Sequence, residues 1–300
     1  VYGVKAGPAA TGEARRRAAV GALLVVLLAV VAARAALDRP GAGPAAPSPS
    51  VAAAGGLVWS DEFTGAVNTA PDGTRWTRNT GGGGWGNGEL EYYTGSLANA
   101  ALDGAGHLAI TARRENPGGY ACHYGPCAYT SARLLTAGRF SRTFGRFEAG
   151  LKLPRGRGLW PAFWMLGDDA ASARGGEIDV MENVGSEPGT VHGSLHGPGY
   201  SADHGLTTPF TLPGGRAVAD DFHVFAVDWT PDAITWFVDG VPYARKTRAD
   251  VGGHEWVFDH PFFLIINLAV GGTWPGAPPA GTVFPQSMLV DYVRVYANNS

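Results

Sequence analysis

The chain has 300 residues, 45% of them apolar, which is enough for one large domain or two small ones around a sizeable core. Its 23 basic and 26 acidic residues leave a net charge of −3 with no long run of one sign, which excludes the basic face of a nucleic-acid binder. Forty-five glycines and an aromatic content of 11% point to a turn-rich β protein with rings in exposed or cleft-lining places. Arg15-Arg16-Arg17 precedes an apolar run from Ala18 to Ala33, and Ala33-Arg34-Ala35 supplies an A-x-A cleavage site. Residues 1–35 are therefore expected to be a secretory signal, with an uncleaved N-terminal anchor as the alternative. The apolar run is shorter than the about twenty residues of a membrane span. Residues 36–56, rich in Ala, Pro, Gly and Ser, read as a flexible linker. The expectation is a secreted, monomeric protein whose mature domain has no membrane partner.

From Leu57 to Ser300 the chain is a string of β segments with almost no helix-period stretch and no interrupting linker, so residues 57–300 read as one domain. The first unusual segment is Trp85-Gly-Asn87-Gly-Glu89-Leu-Glu91-Tyr92-Tyr93, preceded by the glycines 81–84, whose backbone freedom suits a loop that comes close to something. Next, Cys122 and Cys127 flank a Gly-Pro turn; in an exported protein they are expected to close a small disulfide loop, with His123 solvated inside it. The segments 107–113, 146–153, 222–229 and 289–296 alternate apolar and polar residues over part of their length. Leu159-Trp160-Pro-Ala-Phe163-Trp164 puts both tryptophans on one strand face, and His192-Gly-Ser194-Leu-His196 does the same for two histidines. Asp239-Gly240 between two β runs is a hairpin turn. Asn267-Leu-Ala-Val-Gly-Gly-Thr-Trp274 is the last segment with more amide and indole groups than a sheet needs.

Between the tryptophans and the histidines lies Glu177-Ile178-Asp179-Val180-Met181-Glu182. Simple alternation would turn Glu177, Asp179 and Met181 to one face and bury Glu182 with Ile178 and Val180, where an unpaired carboxylate costs several kcal/mol. A β-bulge near Met181 removes the conflict by returning Glu182 to the face of Glu177 and Asp179. Three like charges so close raise one another's pKa values, which suits carboxyl groups that hold different protonation states at one pH. Taken alone, the pattern equally fits a solvated strand face or a calcium-binding patch. Flanked by indoles and amides, it describes a carbohydrate cleft, in which sugar rings stack on aromatic faces and two carboxyl groups hydrolyse the glycosidic bond.

With these motifs the chain resembles glycoside hydrolase family sixteen, in particular its bacterial endo-β-1,3-glucanases. The resemblance rests on Glu177-Ile-Asp179-Val-Met-Glu182, Trp59-Ser-Asp-Glu62-Phe63, Trp85-Gly-Asn87-Gly-Glu89, Tyr129-Thr-Ser-Ala-Arg133, Leu159-Trp160-Pro161, Asn267-Leu-Ala-Val-Gly-Gly and Asp291-Tyr-Val-Arg-Val-Tyr296. It implies an all-β jelly-roll sandwich of two curved antiparallel sheets with a concave substrate cleft. It also implies Glu177 as nucleophile, Glu182 as general acid and base, and Asp179 as the group that sets the protonation of its neighbours. Asn87, Glu89, Arg133, Trp160, Trp164, His196, Asn267 and Trp274 would line sugar subsites for a β-glucan. No cofactor takes part in the chemistry, but a structural calcium would be held by Glu62, Gly106 and Asp291. Met181, read as the extra residue of the bulge, favours the laminarinase branch. Two alternatives stay open: a bulged relative acting on agar, carrageenan, xyloglucan or mixed-linkage glucan, and a glucan-recognition module that binds without cutting.

Overall fold

The computed structural model describes residues 55–168, 175–201 and 204–298. The expected signal segment, and all of the expected linker except residues 55 and 56, lie outside the described residues. Two antiparallel sheets form the all-β sandwich, with the jelly-roll fold as expected. One sheet runs Val241–Thr247, Ala233–Val238, His223–Trp229, Gly145–Lys152, Gln286–Tyr296, Leu108–Ala112 and Ala100–Leu102, with Leu57–Asp61 also pairing with Gln286–Tyr296. The other, the cleft sheet, runs Thr208–Thr211, Thr190–His196, Glu177–Glu182, Leu159–Gly167, Phe262–Val270, Arg133–Leu135 and Thr77–Asn79.

Period-two alternation explains how the sheets bury one face against each other. In Leu159–Gly167, Leu159, Phe163 and Met165 enter the common core, while Trp160, Ala162, Trp164 and Leu166 face the cleft. From the opposing sheet come Phe147, Ala149, Leu151, Phe225, Val227, Trp229, Ile234 and Trp236, all buried. The outer face of Gly145–Lys152 carries a buried charge, Glu148, which Arg146 compensates at 2.8 Å while also reaching Asp228 at 2.9 Å. The Asp-Gly turn forms as read: Asp239 and Gly240 both adopt positive φ (49° and 77°), the geometry of a two-residue hairpin whose twist matches its strands.

The disulfide between Cys122 and Cys127 is present and closes the hairpin of Ala121–Cys122 and Gly125–Pro126. This hairpin clasps the glycine-rich loop. The His123 N–H donates to the Gly82 carbonyl at 2.9 Å, and the Tyr124 hydroxyl donates to the Leu90 carbonyl at 2.6 Å. The His123 ring is exposed but not merely solvated as expected, since its Nε2 lies 3.0 Å from the Glu89 carbonyl.

Candidate active site

The acidic strand contains the expected bulge. Trp164 pairs with Asp179 and Phe163 with Met181, so the extra residue is Val180 and not Met181 as read from the sequence; on the other side Val180 and Met181 together oppose Gly193. Val180 and Met181 both enter the core, and Glu177, Asp179 and Glu182 all face the cleft. Cross-strand partners make three rows: Leu166, Glu177 and His196; Trp164, Asp179 and Ser194; Ala162, Glu182 and His192. The bulge takes the Asp179 carbonyl out of the ladder, and the Trp236 indole of the opposing sheet donates to it at 2.7 Å. Gly193 is required beneath that indole, because a Cβ there would meet Trp236 Cδ1 at 2.4 Å. Neither Trp236 nor Gly193 was legible as part of the site, since their meeting depends on how the two sheets stack.

Burial, then the neighbouring Asp179 charge, raises both glutamates: Glu177 goes well above the usual carboxylate range and Glu182 to about 8. The Trp160 Nε1–H donates to Glu182 Oε1 at 3.0 Å and opposes part of that rise. His196 Nε2 lies 3.2 Å from Asp179 Oδ2, an ion pair off the ideal hydrogen-bond direction, because that oxygen has no well-aligned donor. Burial works against the His196 cation, but Asp179, Glu177 and Glu182 outweigh it and lift the imidazole to about 9. Near neutral pH the row therefore holds fewer than three negative charges and faces one positive charge. Glu177, Asp179 and His196 also bring one ligand atom each within 4.8 Å of one another, but their mutual ion pairing already balances that cluster.

All eight expected subsite residues line the same cleft, which has a volume of about 1040 Å³. Trp274, half exposed, packs edge-on against Trp160 and against His192, forming an aromatic wall beside Glu182. The Arg133 guanidinium is sandwiched between the Trp85 and Trp164 rings at 4.9 and 4.8 Å. Asn267 has a supporting place: its Oδ1 accepts from Trp164 Nε1 at 2.7 Å and its Nδ2 donates to the Tyr93 hydroxyl at 3.0 Å. Tyr93 and His192 lie in segments that the sequence singled out but were not among the expected subsite residues; Tyr93 is fully buried, and the His192 ring bonds Glu187 at 3.0 Å.

The expected calcium positions meet at one junction away from this cleft. Leu57–Asp61 and Leu108–Ala112 lie end to end along the same strand, Gln286–Tyr296, so Glu62 and Gly106 both fall beside Asp291, itself the extra residue of a bulge. The Glu62 carboxylate is held by Arg294 at 3.0 and 2.7 Å, and that bond keeps its pKa below the usual range. That pairing takes up the Glu62 carboxylate expected to bind calcium, and leaves the Gly106 carbonyl and the Asp291 carboxylate as hard oxygens of the kind calcium takes.

A jelly roll whose outer sheet face carries paired carboxyl groups among tryptophans defines a carbohydrate-active protein of the glycoside hydrolase class. Residues 90–294 match the family described as Glycosyl hydrolases family 16, and the chain belongs to that family. It is 45% identical over 255 residues to the "Beta-glucanase" of Rhodothermus marinus, a match covering 80% of this chain and 84% of that protein. Among solved structures, the laminarinase catalytic domain from Thermotoga maritima is 44% identical with a TM-score of 0.76, covering 82% of this chain and 99% of that one. The endo-β-1,3-glucanase from Pyrococcus furiosus is 48% identical with a TM-score of 0.75, over 81% and 95% of the two chains.

Proposed function

We propose that the protein is a retaining endo-β-1,3-glucanase that hydrolyses internal linkages of laminarin-like glucans by double displacement. The observation that carries this reading is the bulged row itself, two half-buried glutamates flanking a buried aspartate on one face of an indole-lined cleft. The general acid must carry a proton at the working pH, and Glu182, raised to about 8, does so. Burial and the neighbouring Asp179 charge raise the Glu177 pKa. The His196 cation works in the opposite direction and favours the ionised form in which Glu177 attacks.

In the first step a Glu177 oxygen bonds to the anomeric carbon as Glu182 passes its proton to the departing glycosidic oxygen, which releases one product. In the second, Glu182 takes a proton from water, whose oxygen displaces Glu177 and restores the original anomeric configuration. Trp160, Trp164 and Trp274 offer apolar faces to sugar rings, and the buried Arg133 Nε, without an acceptor among the described residues, is available to a hydroxyl.

The test is product sizing on laminarin, lichenan, agarose and carrageenan, with the first anomer followed by NMR. Glu177→Gln and Glu182→Gln should each cut laminarin turnover by orders of magnitude while oligosaccharide binding persists. Near-normal turnover in either variant, or an inverted first anomer, would reject the assignment. A calcium held by Glu62, Gly106 and Asp291 would clamp the strand junction and take no part in the reaction. Export and a monomeric state belong to the same proposal, tested by the N terminus of protein recovered from culture medium and by its sedimentation.

A further inference from the structure

One buried carboxyl group has no part in this chemistry. Glu91, fully buried, sits in the short strand Glu91–Tyr93 at the end of the loop that carries Asn87 and Glu89. Its Oε2 accepts the Val270 N–H at 2.7 Å, which ties it to the end of Phe262–Val270. Its Oε1 has no donor among the described residues, although the group stands in hydrogen-bonding contact with the Glu89 carboxyl. Glu89 has both oxygens engaged already: Asn87 Nδ2 donates to Oε1 at 3.1 Å and the Tyr93 hydroxyl to Oε2 at 3.0 Å. Two carboxyl groups in contact are bonded only when one of them brings a proton. Glu89 is the acceptor of two other donors, so Glu91 is the group left to donate.

We propose that Glu91 is a positioning residue whose carboxyl joins the Val270 N–H to the Glu89 carboxylate and so fixes both the Asn87–Glu89 edge of the cleft and the Trp164 floor behind it. The connection to the floor is continuous. Tyr93 donates to Glu89 and accepts from Asn267, and Asn267 accepts from the Trp164 indole. Burial first, and the Glu89 charge second, push Glu91 well above the usual range, so it keeps its proton at neutral pH. The other titratable groups facing this pair are Tyr93, Tyr124, Arg133 and, through the Glu89 carbonyl, His123. Tyr93 is itself pushed well above its ordinary value by burial and by Glu91 and Glu89, so it keeps its phenolic proton while Glu91 titrates. Loss of the Glu91 proton leaves two like charges in contact and drives the Glu89 edge away from its bound position.

The inference rests on the glucanase reading, and the experiment separates the two. Glu91→Gln should preserve the bridge, since its Oε1 accepts from Val270 and its Nε2 donates to Glu89 at every pH. Its KM for laminarin should match wild type at neutral pH and lack the rise that wild type shows on the alkaline side. Glu91→Leu should raise KM about tenfold, with kcat held within about threefold. An infrared difference spectrum between wild type and Glu91→Gln at neutral pH should contain the band of one protonated carboxyl. Identical KM–pH profiles for wild type and Glu91→Gln, or a difference spectrum without that band, would overturn the inference even if Glu91→Leu does not fold. A wild type that leaves laminarin intact would count against the glucanase reading instead, while the infrared band would still report the proton on Glu91.

Discussion

Replacing Glu182 by Gln should stabilise the protein in alkaline solution while removing its activity. Folding raises the Glu182 pKa from 4.5 to about 8, chiefly through burial and then through the Asp179 charge. Between those values the folded state binds a proton that the unfolded chain has released, so stability falls as pH rises through this window. The full span corresponds to about 5 kcal/mol at about 1.4 kcal/mol per pH unit. That figure is a ceiling, because Glu182 still meets solvent in the open cleft and because the His196 cation loses one of its three carboxylate partners in the variant. The amide keeps an acceptor for the Trp160 indole, so no new unpaired group is made. Urea unfolding at pH 4, 6.5 and 9 (about those values, chosen to bracket the window) should give equal stabilities at the acid end. At the alkaline end Glu182→Gln should be ahead by a few kcal/mol. A difference that does not change with pH would show that Glu182 is not buried with its proton, and the acid role would lose its physical basis.

The Trp160 indole hydrogen bond favours the charged form of Glu182, so Trp160→Phe should move the alkaline limb of the kcat profile upward by about one pH unit; a limb that moves down or stays would contradict this. Replacing Cys122 and Cys127 together by Ser opens a loop with a sequence separation of 5 and should cost about 2 kcal/mol, read as a lower melting temperature. The same variant should raise KM, because the hairpin clasps the loop bearing Asn87 and Glu89; unchanged values of both would remove the bracing role. Chelation should lower the melting temperature without abolishing activity below the transition, and an unaltered transition would argue against calcium at Glu62, Gly106 and Asp291.

The acidic strand was legible because a carboxylate cannot be left among Ile178 and Val180, so the sequence itself demanded a bulge. Trp160 and Trp164 were legible for the same reason, since the period of two puts them on one face and the structure keeps Leu159–Gly167 regular. Less could be read where a residue's meaning depends on a distant partner. Asn267 looked like a sugar ligand, yet both ends of its amide are held by Trp164 and Tyr93, residues 103 and 174 positions away. Glu91 and Tyr93 fell in a segment read as a loop that comes close to something, but nothing local reveals that Val270 and Asn267 come to meet them. Glu62 pairs with Arg294, 232 positions along the chain, a contact fixed by strand order rather than by local pattern.

The bulge and Trp236 should prove to be one device. In a regular strand the sequence Glu-x-Asp-x-Glu already puts three carboxylates on one face, so deleting Val180 would preserve the row. What deletion removes is a buried side chain and the free Asp179 carbonyl, which a regular ladder would reclaim from the Trp236 indole. The lost Val packing should cost about 1–3 kcal/mol and the orphaned indole about as much again. Trp236→Phe alone strands the Asp179 carbonyl in the intact bulge at a similar cost. In the double variant neither group is left unpaired, so the two losses should fall short of additive by about 1–2 kcal/mol in a four-protein urea cycle. Simple additivity would mean that the bulge stands without Trp236, and that the opposing sheet has no part in holding the carboxylates on the cleft face.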